Sequence, residues 1–201
     1  MAEALLLITV YHAVLFRHFY FQNADTYARG EFLEQGFSSS RLLGEHLRRY
    51  GFFSLRPVHD PYYYGADYSA LPFTQTYYWP HRLQAWVGSW LTLGHAFRLY
   101  SLTTVLHCWL ASVSVYTLAS AMGHAPLSAG FASVTLSSLA YALKPNASIV
   151  STLAWVPVYL LSCSLTSTML TGISVGMMLT AGYWPLALPL LPLGCWLWLS
   201  A

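Results

Sequence analysis

The residues able to do chemistry in this chain are few, and most lie in its first half. Asp25 stands in the run Gln22-Asn23-Ala24-Asp25-Thr26-Tyr27, nine residues past the end of an apolar stretch. A carboxylate where a membrane helix emerges, walled by Phe19, Tyr20 and Tyr27, can have its pKa raised far enough to act as a general base. It is also placed to cap a following helix by accepting backbone N–H bonds ahead of Thr26-Tyr27-Ala28-Arg29, and the two roles are compatible. His59, Asp60 and Asp67 fall close together and could offer oxygen and nitrogen ligands to a divalent cation, or satisfy backbone groups in a loop. Arg17, Arg48, Arg49, Arg56, Arg82 and Arg98 lie near expected membrane boundaries. There a guanidinium either snorkels to headgroups or forks onto a phosphate. Lys144 is the sole charge after Arg98. It marks the end of a span or reaches the anionic headgroup of a lipid-linked substrate. His107, inside LTTVLHCWLAS, reads as a neutral imidazole bonded to a neighbouring helix or as a proton relay. The sequence carries no HExxH, CxxC, Walker, GxGxxG or GxSxG pattern, so neither zinc nor soluble nucleotide chemistry has a motif behind it.

The elements that must position these groups follow from the charge distribution. The chain has 201 residues with nine Lys or Arg and seven Asp or Glu, and fifteen of these sixteen charges precede residue 99. A soluble globule cannot cover its surface with a half that holds one charge, so soluble, secreted-disulfide and disordered classes are excluded and an integral membrane protein is expected. A net charge of +2 without a Lys/Arg block gives no footing for nucleic acid. Cys108, Cys163 and Cys195 sit in apolar runs and are expected to pack as small hydrophobes.

Residues 1–201 are read as one all-α polytopic membrane domain of about five to six transmembrane helices. Residues 1–21 are a retained first span, since the start lacks the basic region and cleavage site of a signal peptide. Residues 22–98 form a long first loop with amphipathic interfacial helices, on a side of the membrane that the charge pattern leaves open. One of these covers 29–50, with Leu43, Leu47 and Tyr50 at helical spacing. Residues 57–80, rich in Pro, Tyr and Trp, are an aromatic loop at headgroup depth. Residues 81–98 place Leu83, Trp86, Val87, Trp90 and Leu91 on one face of a short span or an interfacial or re-entrant helix. Residues 99–201 are the helix bundle, with candidate spans at 99–122 and 127–143, two short ones in 147–181 and a Pro-rich one at 183–200. Ala, Ser, Thr and Gly within these spans predict close helix packing. Asn146-Ala147-Ser148 matches a glycosylation sequon but stands at a tight turn.

A short first span, an acidic residue after it and an amphipathic helix resemble the opening of GT-C-type membrane glycosyltransferases. The loop PYYYGADYSALPFTQTYYWP, followed by LHCWLASVSVYTLASAMGHAPLSAGFASVTLSSLAYAL and by TLAWVPVYLL with Pro157 in mid-span, looks like the bacterial YfhO-like branch. The resemblance implies glycosyl transfer from a polyprenyl-phosphate-linked sugar at the outer face of a bacterial cytoplasmic membrane. The catalytic base would be Asp25. Lys144, Arg56, Asp67 and His59 would contact substrate, with no assigned metal and a divalent cation as an open addition. The N-terminus would be cytoplasmic, with 22–98 and the Lys144 turn outside. Members of this superfamily have more spans than this chain. The competing expectation is therefore a non-catalytic subunit or scaffold, partnered by other membrane proteins as well as lipids.

Overall fold

The computed structural model describes residues 2–17, 36–56, 58, 75–143 and 147–200. Every regular element among them is helical: α1 (Ala2–Leu15), α2 (Ser38–Tyr50), α3 (Trp79–Gly88), α4 (Leu93–Ala121), α5 (Pro126–Leu143), α6 (Ala147–Ser164), α7 (Thr168–Ala181), the single turn α8 (Trp184–Ala187), and α9 (Leu191–Ser200). Three of them, α4, α5 and α6, are long and apolar enough to cross a membrane, while the apolar helices at the two ends of the chain and α7 are shorter. At 1.5 Å per residue α5 and α6 reach about 27 Å, close to a hydrocarbon core of roughly 30 Å. The 29 residues of α4 exceed it by about 14 Å, an excess that tilt or an end standing in the interface would absorb.

The helix α4 is the hub, with α5, α6, α3 and α1 packed around it. Serines make the closest seam. Ser112, Ser133 and Ser137 are all fully buried, Ser133 Oγ donates to the Ser112 carbonyl at 2.7 Å, and the Ser112 and Ser137 hydroxyls pair. Small side chains let two spans approach, and their hydroxyls stay bonded where no water is present. On the far side of α6, Tyr159 reaches across to the Leu191 carbonyl at 2.7 Å. Gly194 leaves room for the Tyr159 ring, which any Cβ at that position would strike. The first helix turns Ile8, His12 and Phe16 inward and leaves Leu6, Leu7, Val10 and Val14 exposed, an aliphatic outer face suited to acyl chains. His12 Nε2 donates to the Val105 carbonyl at 3.1 Å and fixes α1 against the hub.

The stretch 81–98 is not one helix. α3 ends at Gly88, a turn follows through Ser89, Trp90 and Leu91, and extended Thr92 (ψ 157°) resets the chain before α4 begins at Leu93. The span expected from residue 99 thus starts six residues earlier.

The second departure concerns α2. Its Leu43 and Leu47 were read as a face for the membrane surface; they are buried instead with Val58 and Ala85, against α3. Gly44 makes that contact possible, because a Cβ there would collide with the Ala85 carbonyl oxygen. The amphipathic stripe of α2 is consumed by protein. Cys108 and Cys163 are buried thiols as expected, whereas Cys195 is exposed on α9.

Candidate functional site

Of the residues singled out in the sequence, Asp25, His59, Asp60, Asp67, Lys144 and the Asn146 sequon lie outside the described residues. Arg56 is described. It follows the turn after α2 and is exposed, with its guanidinium 5.0 Å from the centre of the Tyr50 ring and its backbone N–H on Ser54 Oγ at 3.3 Å.

Arg56 is one wall of an open groove of about 670 Å³ at the end of α2, shared with His46, Arg48, Arg49, Tyr50 and Glu45. The arginines are not equivalent. Arg48 donates to the Ser89 carbonyl at 3.4 Å and lies 5.8 Å from the Trp90 ring centre. Arg41 spans to the Gly88 carbonyl at 3.0 Å and to Glu45 at 3.7 Å. The one carboxylate that the described residues bring to the groove therefore has a cation of its own, and Arg48, Arg49 and Arg56 line the opening. Guanidinium groups stacked on aromatic rings are held in place while their N–H edges remain available. Such a groove can take a phosphate or a similar anion.

Arg82 has a different role. It is 4% exposed and clamps three carbonyls, those of Thr76 at 3.0 Å, Phe52 at 2.6 Å and Ser54 at 2.9 Å. Burial lowers its pKa from the ordinary guanidinium value. This side chain neither snorkels nor faces a ligand: it ties the 51–56 turn, which carries Arg56, to the start of α3.

A second polar cluster lies inside the bundle. His107 Nδ1 faces the Thr103 carbonyl at 2.6 Å, so that nitrogen carries the hydrogen and Nε2 is the acceptor. The Tyr78 hydroxyl donates to Nε2, and Trp155 Nε1 donates to the same hydroxyl at 2.6 Å. Three elements meet in this chain of bonds: the turn before α3, the hub α4 and α6. His107 is thus a neutral imidazole with both nitrogens engaged. Its partner across elements is Tyr78, which sequence reasoning had placed in the aromatic loop without a role.

Gln75 sets up the turn that delivers Tyr78. It adopts φ 56°, and its side-chain amide donates to the Ala181 carbonyl at the end of α7, 3.1 Å away. Burial also raises the Tyr78 hydroxyl above its usual pKa and keeps it protonated. Beside it, His81 is 5% exposed and its Nε2 finds no partner among the described residues. Burial, reinforced by nearby His107, pushes His81 down to about 4. The cavity that His81, Gln84, Tyr100 and Ser151 line holds only about 10 Å³, room for one water.

No group of three or more His, Cys, Asp or Glu able to hold a metal occurs among the described residues. Compared with known proteins, the chain matches no family model, no curated protein and no solved structure.

Proposed function

We propose that this protein is a multi-pass membrane protein of five or six spans that works on a polyprenyl-phosphate-linked sugar, as a reduced GT-C-type transferase at the outer face of the cytoplasmic membrane. The observation that carries this reading is the groove of Arg48, Arg49 and Arg56, a set of cations with, among the described residues, a single and already paired carboxylate. Glycosyl transfer from a lipid phosphate needs cations to hold the leaving phosphate and a base to take the acceptor proton. The groove supplies the first. Asp25 is assigned the second, with Lys144, Asp67 and His59 as further substrate contacts.

The experiment is sugar transfer from a polyprenyl-phosphate donor by the full chain in nanodiscs. Asp25→Asn is expected to abolish transfer with expression and donor binding unchanged, and Arg48→Ala with Arg56→Ala to weaken donor binding. Transfer at parental rate in Asp25→Asn would sink the catalytic assignment.

A second reading, a non-catalytic subunit that holds a lipid phosphate for a partner, rests on the same groove, whose arginines can bind an anion without a base. On that reading donor binds, no variant transfers sugar, and another membrane protein co-purifies in mild detergent.

A further inference from the structure

The ten residues of α3 make a helix of about 15 Å, half of what a span requires. Its polarity is inverted relative to a helix on a water-facing surface. The inward side carries His81, Arg82, Gln84, Ala85 and Gly88, all buried. The outward side presents Trp79, Leu83 and Val87, each four residues after the last, and Trp90 continues the line just past the helix end. Their exposures are 50%, 53%, 38% and 66%, and no charged or amide side chain interrupts them. An outer face made of two Trp and two aliphatics, over an inner face made of polar groups, is the pattern of a helix whose outside is not water.

We propose that α3 lies in the plane of a bilayer with anionic headgroups, its Trp79–Leu83–Val87–Trp90 line set into the headgroup–acyl boundary. Three features choose lipid as the occupant. Tryptophan stands at both ends of the line, and the indole ring favours that depth. The line runs on through exposed Leu91 and Leu93 into α4, a helix of membrane-spanning length and hydropathy, so it continues a surface already fit for lipid. Cations accompany the line: Arg48 is held beside the Trp90 ring, and Arg49, Arg56 and Arg98 are exposed in the same part of the chain. Across residues 36–98 six arginines stand against Glu45, Asp60 and Asp67, a net positive charge that complements anionic lipid. The surface helix is therefore α3. Its neighbour α2, whose leucines are spent on α3, stands behind it.

The test uses the full chain in nanodiscs of phosphatidylcholine with and without phosphatidylglycerol. Nitroxide labels go singly at Leu83→Cys, Val87→Cys and, on α2, Glu45→Cys, in a Cys195→Ser background that itself takes up no label. Collision with oxygen, which partitions into lipid, is expected to exceed collision with an aqueous nickel chelate severalfold at positions 83 and 87, with the order reversed at 45. Replacing phosphatidylglycerol by phosphatidylcholine is expected to shift the 83 and 87 labels toward the aqueous reagent. Nickel-dominated collision at both positions would overturn the placement. So would shielding from both reagents with cross-linking through residue 83, which would mean a second copy or another protein covers the line. A ratio unaffected by headgroup charge would overturn the anionic preference. None of these readouts depends on sugar transfer, so failure here and failure of the transferase reading are separate results.

Discussion

Replacing Gly44 by alanine sets two effects of known sign against each other. On helix propensity alone, Gly→Ala in the middle of α2 should stabilise the chain by about 1 kcal/mol. The structure reverses that expectation, because the new Cβ would lie against the Ala85 carbonyl oxygen, a backbone atom of α3 that no rotamer can move, and 3.2 Å from Ser89 Cβ. Restoring ordinary contact at about 3.5 Å requires α2 and α3 to separate by roughly 1 Å. That gap opens beneath Leu43, Leu47 and Ala85, which are 1%, 0% and 2% exposed, and forfeits a quarter to a half of their mutual dispersion attraction. Overpacking of this kind costs about 1–3 kcal/mol, so after the propensity gain the net change is a loss of up to about 2 kcal/mol, growing with Gly44→Leu. The assay is thermal unfolding in mild detergent of the parent, Gly44→Ala and Gly44→Leu, and the expected order of stability is parent, alanine, leucine. An alanine variant as stable as the parent or more so would refute the close seat of α2 on α3, and with it the placement of the Arg48 groove.

His81 gives a pH dependence with a definite sign. Its pKa is depressed from 6.5 to about 4 by burial, so the neutral form is favoured on folding. That contribution is fully present above pH 6.5, falls as pH drops toward 4, and amounts to about 3 kcal/mol at most. Melting temperatures between pH 7.5 and 4 should therefore decline less steeply in His81→Gln than in the parent, and parallel curves would count against a buried neutral His81. Arg82→Met leaves the Thr76, Phe52 and Ser54 carbonyls without their donor and should destabilise by about 3–5 kcal/mol, with Arg82→Lys between it and the parent. Equal unfolding temperatures for Met and Arg at this position would remove the clamp from the account. Tyr78→Phe deletes the hydroxyl shared by His107 and Trp155 and should cost about 2–4 kcal/mol in the same assay. Full stability in that variant would mean the buried network is not formed.

What could be read from the residues, and what could not, divides along a physical line. Pro126 to Leu143 and the two helices within 147–181 were legible because length, hydropathy and Gly or Pro punctuation are local properties. The number of spans was not, since α7 and the last apolar stretch fall below spanning length, and composition alone does not say whether short helices cross. The α2 stripe was legible as a stripe, but its partner was not. A row of leucines states that something apolar covers it, whereas only Gly44 hinted that the cover is another backbone. Likewise Arg82 is one arginine among eight in the sequence. What separates it from Arg56 is that three carbonyls from two turns converge on it, a fact of chain path rather than of residue type. The Tyr78–His107 bond, between residues 29 apart, was half legible: an intramembrane His demands a partner, and the list of partners is long.

Few groups among the described residues can act as a catalytic base. A base must present a free lone pair to a space large enough for an acceptor hydroxyl on its substrate. His107 has both nitrogens engaged, one on Thr103 and one on Tyr78. His81 has a free nitrogen, but the cavity it faces admits a water and no sugar. Glu45 borders the large groove and is paired with Arg41 at 3.7 Å. The hydroxyls of Ser101, Thr103, Thr104 and Thr117 donate to carbonyls one turn back on α4 and are committed to the helix itself. The groove can therefore bind an anion with the groups it has, and the imidazole on its wall is His46, whose Nε2 lies 3.5 Å from Ser54 Oγ. The Asp25→Asn experiment asks whether an acidic residue outside those described supplies the base for sugar transfer.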